Sequence, residues 1–250
     1  MMALFMLGAI VASFMGVIVA RLSTGQSFLV GRSHCDACGK PLPPQTLVPI
    51  LSYAVGRGRS RCCGTRISLI APFTEALLGA LFVLTYLALG WGWALPCMLV
   101  ALSLLLALVL YDLAHQILPS PLLYSFVAAS ALGGYLSSPS LADFLMTLLI
   151  ALLIATSLVA IYWFSRGRAI GFADAPLAFG LSLLSGTAAF PGFIFSFWIG
   201  AVIGIALLLQ RPRGSRMGVE VPFAPFLAAG FLLAYFTQWN PFTLIAAVIR

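Results

Sequence analysis

Ala94-Leu95-Pro96-Cys97-Met98-Leu99-Val100-Ala101-Leu102-Ser103-Leu104-Leu105-Leu106-Ala107-Leu108-Val109-Leu110-Tyr111, followed at once by Asp112, decides the fold class. No charged residue interrupts 94–111. As a helix rising about 1.5 Å per residue, such a run is long enough for the ~30 Å hydrocarbon core of a bilayer. It does not alternate apolar and polar residues, so it does not read as a strand of a transmembrane barrel. Similar runs recur at 3–20, 69–89, 120–136, 142–164, 175–190, 192–209 and 222–239, the 175–190 run being the shortest. The chain is 62% hydrophobic and 8% charged, with a mean hydropathy of +1.10. So little charge cannot cover the surface of a soluble domain. The expectation is an all-α, polytopic membrane helix bundle of about eight spans with one polar, cysteine-containing loop.

The net charge of +7 is read through that topology and not as a nucleic-acid footprint. Arg21, Arg32, Lys40, Arg57, Arg59, Arg61 and Arg66 follow the first run, Arg166 and Arg168 the fifth, and Arg211, Arg213 and Arg216 the seventh. With eight spans these connections share one face, and only Arg250 falls on the other. The positive-inside rule makes that face cytoplasmic and places both termini outside. The first run has its arginine after the apolar stretch, unlike a signal peptide, and is expected to stay in the membrane. Gly8, Ala12 and Gly16, four residues apart, give it a small-residue face for close helix packing. The expected organisation is a first transmembrane helix at 1–20, a cytoplasmic loop at 21–68, and a membrane core at 69–250.

The loop holds Cys35-x2-Cys38 and the adjacent pair Cys62-Cys63. Cytosolic thiols stay reduced, and a Gly/Pro-rich loop has little apolar material for a core, so a zinc-ribbon-like staple on Cys35, Cys38, Cys62 and Cys63 is expected. Adjacent cysteines should point apart and strain such a site, and His34 is an alternative ligand. Free thiols in an unstapled loop are the other reading. Cys97 reads as a small apolar filler.

Asp112 stands where a helix ends, and the helix dipole disfavours a negative charge there, so capping does not explain it. Asp174 precedes Ala175-Pro176 and could be an ordinary N-cap. Two runs separate the residues, which returns both to one face. Two carboxylates that converge share a proton: one can act as general base toward water while the other protonates a departing amine. That is the arrangement of an aspartic protease. Asp143, in Ser140-x-x-Asp143, reads as a capping box on the outer side, and Glu220 as solvated. Glu75 lies inside a span and His115 one turn beyond Asp112. Both are supporting candidates, Glu75 also as a partner for a loop arginine.

The chain resembles the type IV prepilin peptidases. The resemblance runs through Gly8-x4-Ser13-Phe14 with Arg21-Leu22, Ser33-His34-Cys35-Asp36-Ala37-Cys38-Gly39, and Leu47-Val48-Pro49-Ile50-Leu51-Ser52-Tyr53. It continues through Pro72-x2-Glu75, Tyr111-Asp112-Leu113-x-His115, Gly171-Phe172-Ala173-Asp174 and Pro222-Phe223-Ala224-Pro225-Phe226-Leu227. It implies an aspartic endopeptidase of the bacterial inner membrane with Asp112 and Asp174 catalytic, the latter within a Gly-x-Gly-Asp motif that begins at Gly171. It further implies prepilin or pseudopilin substrates cut after a Gly at the cytoplasmic face. S-adenosylmethionine-dependent N-methylation of the new terminus, associated with the 21–68 loop, is a second implied activity. The chain departs from the family pattern at Ala173 for the second Gly, at Ala175-Pro176, at Ser60 for the usual third cysteine, and at Met15-Gly16. Two other functions fit parts of the sequence: a pilin-binding homologue that no longer cuts, and an ion-coupled transporter with the aspartates in a relay.

Overall fold

A computed structural model describes residues 1–22, 35, 37–41, 49–210 and 221–241. His34, Asp36 and Glu220 lie outside these residues. Among the described residues the regular structure is helical: α1 (Met2–Leu22), α2 (Leu51–Val55), α3 (Ile70–Leu89), α4 (Ala94–His115), α5 (Ser120–Ser137), α6 (Leu141–Ser165), α7 (Asp174–Ser185), α8 (Ala189–Leu209) and α9 (Ala224–Thr237). Leu, Ala and Phe fill the helix interiors, and the prolines fall where they cost least. Pro72, Pro96, Pro121, Pro176, Pro191 and Pro225 each lie within the first three residues of their helix. Their missing N–H groups are ones the helix could not have paired.

The chain is a multi-pass membrane protein. Five stretches are long and apolar enough to cross a bilayer: Met2–Leu22, Ile70–Leu89, Ala94–His115, Leu141–Ser165 and Asp174–Leu207. The remaining apolar runs form the shorter helices α5 and α9. The expected break between 175–190 and 192–209 falls earlier, in a 3₁₀ turn at Gly186–Ala188. Gly186 there takes a left-handed φ of 58°, whereas Pro191 sits inside the first turn of α8, where it breaks nothing.

The chain divides into two compact units, Met1–Leu87 and Ala88–Arg250. In the first, Gly8 and Ala12 are buried, and a Cβ on Gly8 would stand 2.8 Å from Gly79 Cα on α3. The small-residue face is therefore used at Gly8, while Gly16 has nothing within 4 Å. In the second unit α4 packs on α5, α5 and α6 on α7, α8 on α9, and α9 on both α4 and α7. The short α7 is the most enclosed element: Leu177, Ala178, Leu181, Leu183 and Leu184 are all buried. Close crossings rest on glycines: a Cβ on Gly134 would run into the Leu183 carbonyl, and one on Gly230 into the backbone of Ser196. Ser140 is the N-cap of α6, its Oγ accepting the Asp143 N–H at 3.2 Å and donating to Asp143 Oδ2 at 2.6 Å, so the acid meets the serine hydroxyl and not its backbone N–H.

Candidate active site

Asp112 lies in the last turn of α4, which ends at His115 with Gln116 as a left-handed C-cap. Asp174 is the first residue of α7, and Ala173 is its N-cap. Both aspartates are buried, 6% and 7% exposed. Asp174 Oδ2 accepts the Gly171 N–H at 3.0 Å, which closes the Gly171–Asp174 turn onto its own carboxylate. Asp174 is thus not the N-cap that its position before Ala175-Pro176 suggested, since its side chain bonds backward to the loop and not forward to the helix. Asp112 Oδ2 accepts the Ala224 N–H at 3.2 Å, a bond that spans 112 positions of sequence. Asp112 is thus bonded to the first residue of α9, and α9 packs on α7, the helix that Asp174 begins.

His115 is exposed and its ring lies 4.5 Å from that of Tyr111. Gly171 contributes through its backbone, and a Cβ there would stand 3.3 Å from Asp174 Oδ2, tighter than ordinary contact. Ala173 has φ −70° and ψ −15°, a conformation open to any L-residue, so replacing the family's glycine costs no backbone strain. Glu75, in the first unit, is 7% exposed and accepts the Ile50 N–H at 2.7 Å. Ile50 takes φ 60° just ahead of α2, and Glu75 fastens that unusual turn to α3.

The four loop cysteines come together in the first unit, with one sulfur from each of Cys35, Cys38, Cys62 and Cys63 within 4.8 Å of the others. The Cys38–Cys62, Cys35–Cys63 and Cys62–Cys63 sulfurs are 3.3, 3.7 and 3.9 Å apart. Tetrahedral zinc with bonds of about 2.3 Å requires sulfurs about 3.8 Å apart, so the donor set fits zinc in number, chemistry and spacing. The expectation that adjacent cysteines point apart does not hold at Cys62-Cys63, and the backbone shows why. Cys35 donates its N–H to the Lys40 carbonyl and accepts at its own carbonyl from Gly39. Ser60 does the same with Thr65 and Gly64. The two turns are equivalent, with Gly39 and Gly64 both left-handed at φ 68° and 72°. Ser60 therefore occupies the place of Cys35 and Cys63 that of Cys38. Cys62, between them, swings its sulfur to within 3.0 Å of Ser60 Oγ and supplies the fourth donor. The Ser60 hydroxyl, with the backbone N–H groups of Ala37 and Cys38 and then the Cys62 side chain, pulls the Cys35 thiol down to about 6. Thr65 lowers Cys63. At Cys38 the Lys40 N–H favours the thiolate, but the Cys62 bond, burial and the other sulfurs outweigh it and push the thiol up to about 11. The cluster's first negative charge thus rests on Cys35, and thiolate is the form that binds metal.

Sequence reasoning passed over two contributors. Ser60 was noticed only as a missing cysteine, although its place in a second Cys35-like turn was readable from Ser60-x2-Cys63-Gly64. The Ala224 amide left no side-chain signal, and only the prolines that flank it set the segment apart.

Fold and site together define a polytopic helical membrane protein with two buried aspartates at helix ends in the second unit and a four-cysteine cluster in the first. Comparison with known proteins agrees. Residues 6–89 match the family described as Bacterial Peptidase A24 N-terminal domain. A prepilin leader peptidase/N-methyltransferase of Myxococcus xanthus (strain DK1622) is 36% identical over 214 residues, 84% of this chain and 64% of the relative, so the chain spans somewhat less than two thirds of that protein. Its namesake in Bacillus subtilis (strain 168) is 32% identical over 237 residues, 93% of this chain and 92% of the relative. That of Aeromonas salmonicida (strain A449) is 30% identical over 230 residues, 88% of this chain and 77% of the relative. No solved structure matches the chain. The chain belongs to the prepilin leader peptidase/N-methyltransferase family.

Proposed function

We propose that the protein is a membrane aspartic endopeptidase that removes the leader of type IV prepilins or type II secretion pseudopilins after a Gly, with Asp112 and Asp174 as the catalytic pair. The observation that carries the reading is the pair itself. Two carboxylates buried in an apolar bundle, each with one oxygen held by a backbone N–H, are costly unless they are used. The reaction needs one proton on the pair. The ionised carboxylate takes a proton from water as the water oxygen bonds to the Gly carbonyl carbon. The protonated carboxyl supports the developing oxyanion and passes its proton to the leaving nitrogen as the C–N bond breaks. The products are the leader, which ends in a carboxylate, and a pilin with a free N-terminal amine.

The three arginine-bearing connections support a cytoplasmic active site in a bacterial inner membrane, with eight spans and both termini outside. The prepilin's apolar segment lies among the spans, and no nucleic acid takes part. Zinc on Cys35, Cys38, Cys62 and Cys63 staples the loop and takes no part in the hydrolysis. N-methylation of the new terminus, part of the relatives' name, is a second activity of the same kind of protein. Among the described residues of the first unit Glu75 is the one acid, and it is engaged with Ile50, so no residue is assigned to S-adenosylmethionine and no step is routed through it.

Purified protein in detergent tests the reading against a prepilin, beside Asp112→Asn and Asp174→Asn. Cleavage by the wild type and a loss of at least about a thousandfold in both variants is expected, since each removes one half of an acid–base pair. An Asn variant with near-wild-type cleavage refutes the pair. Prepilin bound but uncut by the wild type points to a pilin-binding homologue.

A further inference from the structure

Asp112 poses a problem that its chemistry does not solve. It sits in the C-terminal turn of α4, where the helix's own carbonyls repel a carboxylate. Burial removes the water that would offset this. Its one hydrogen bond among the described residues comes from the backbone N–H of Ala224, the first residue of the fourteen-residue helix α9.

The first turn of α9 is arranged around that bond. Phe226 and Leu227 both donate to the Phe223 carbonyl, and Pro225 has no N–H. Ala224 is thus the amide of this turn that points out of the helix, and it meets Asp112 Oδ2 at 3.2 Å. Ala224 is fully buried, so water does not compete for its N–H. The positive end of α9 then faces the carboxylate that the negative end of α4 disfavours. Asp174 is held in the same way, by the Gly171 N–H on its Oδ2. In each aspartate Oδ2 is fixed by backbone, and Oδ1 has no hydrogen bond among the described residues.

We propose that Ala224 is a positioning residue of the peptidase, and that its backbone N–H, offered by the Pro222-Phe223-Ala224-Pro225 turn, fixes Oδ2 of Asp112 and so orients Oδ1 toward the reacting water. The inference rests on the aspartyl-pair reading. It assigns a task to a segment that carries no chemical side chain. Because the task belongs to the backbone, glycine at 224 keeps the donor and proline removes it.

The test is an amide-to-ester replacement at 224 in the full-length protein, with lactic acid incorporated in place of alanine. This removes one N–H and keeps the methyl group. Prepilin cleavage is measured beside wild type, Ala224→Gly, Ala224→Pro and Asp112→Asn, with the thermal midpoint in detergent as a check on folding. The expected result is a roughly ten- to hundredfold lower kcat for the ester protein, the scale of a hydrogen bond to a charged group, with KM for prepilin close to wild type and a thermal midpoint that, though lowered, stays above the assay temperature. Ala224→Gly keeps the N–H and is expected to retain a kcat well above that of the ester protein. Ala224→Pro is expected to lose at least as much as the ester, and if it fails to fold the ester alone decides. An ester protein with wild-type kcat, while Asp112→Asn is inactive, overturns the positioning role and leaves the pair intact. Cleavage by Asp112→Asn overturns the pair and the positioning role together.

Discussion

Replacing Cys62 by serine tests the loop site where this chain departs furthest from a regular pair of cysteine turns. The sulfurs of Cys38 and Cys63 lie 3.3 and 3.9 Å from Cys62, around the spacing of about 3.8 Å that tetrahedral zinc requires. Structural zinc in small cysteine sites binds with about 10–16 kcal/mol at neutral pH, so one thiolate in four accounts for about 2.5–4 kcal/mol. At about 1.4 kcal/mol per decade, Cys62→Ser is expected to weaken zinc binding by two to three orders of magnitude. The equivalent turns at Cys35–Lys40 and Ser60–Thr65 supply the rescue. Ser60 holds the position of Cys35, so Ser60→Cys in the Cys62→Ser background puts a sulfur in the regular place and is expected to recover most of the loss. The assay is zinc content by mass spectrometry together with competition against a chromogenic chelator, both independent of proteolysis. Equal affinity in wild type and Cys62→Ser, or a double variant no better than the single one, would falsify the claim that Cys62 stands in for position 60.

Three further outcomes are expected. Ala173→Gly, which restores the family's second glycine, is expected to change prepilin cleavage by less than about threefold, because Ala173 already has helical dihedrals that need no glycine; a tenfold gain would show that the methyl group obstructs substrate. Gly230→Ala drives a Cβ into the Ser196 backbone at the α8–α9 crossing, and overpacking of this kind costs about 1–3 kcal/mol; a thermal midpoint in detergent unchanged by the substitution contradicts that close approach. Glu75→Ala removes the acceptor of the Ile50 N–H and is expected to speed tryptic cleavage at Arg57 and Arg59 several-fold, whereas Glu75→Gln keeps an oxygen there and stays near wild type; equal rates in all three proteins would mean the bond does not secure the α2 turn.

The helices were legible because hydropathy is averaged over many residues, and a bilayer allows few alternatives to a helix. What the average cannot locate is a short break. The apolar runs divide at 191, yet Pro191 lies harmlessly in the first turn of α8, and the chain turns at Gly186 where a positive φ is needed. Asp112 was legible as an anomaly, since a carboxylate at a helix C-terminus contradicts the dipole. Asp174 was readable in two ways, because Asp before Ala-Pro suits a cap as well as a site. Its bond to Gly171 decides against the cap, and nothing local in the sequence encodes that direction. The cysteine cluster was half legible. Cys35-x2-Cys38 announces a chelating turn, but the rule that adjacent cysteines diverge assumes an extended backbone, and the turn between Arg59 and Arg66 is not extended.

The two aspartates are each held at Oδ2 by one backbone N–H, but by opposite means. Asp174 has a helix N-terminus of its own and a neighbouring loop amide, all within four residues of sequence. Asp112 has the wrong end of its own helix and borrows the right end of another, 112 positions away. The first aspartate is therefore set by local folding, and a change in the 171–174 loop acts on it directly. The second is set by how α4 and α9 pack, so changes along that contact reach the site without touching a carboxylate. Helix α9 also packs on α7, the helix that begins with Asp174. Helix α5 packs on both α4 and α7 too, but α9 also donates a bond to one of the acids, so a shift of its N-terminal turn reaches Asp112 through a hydrogen bond and Asp174 through packing.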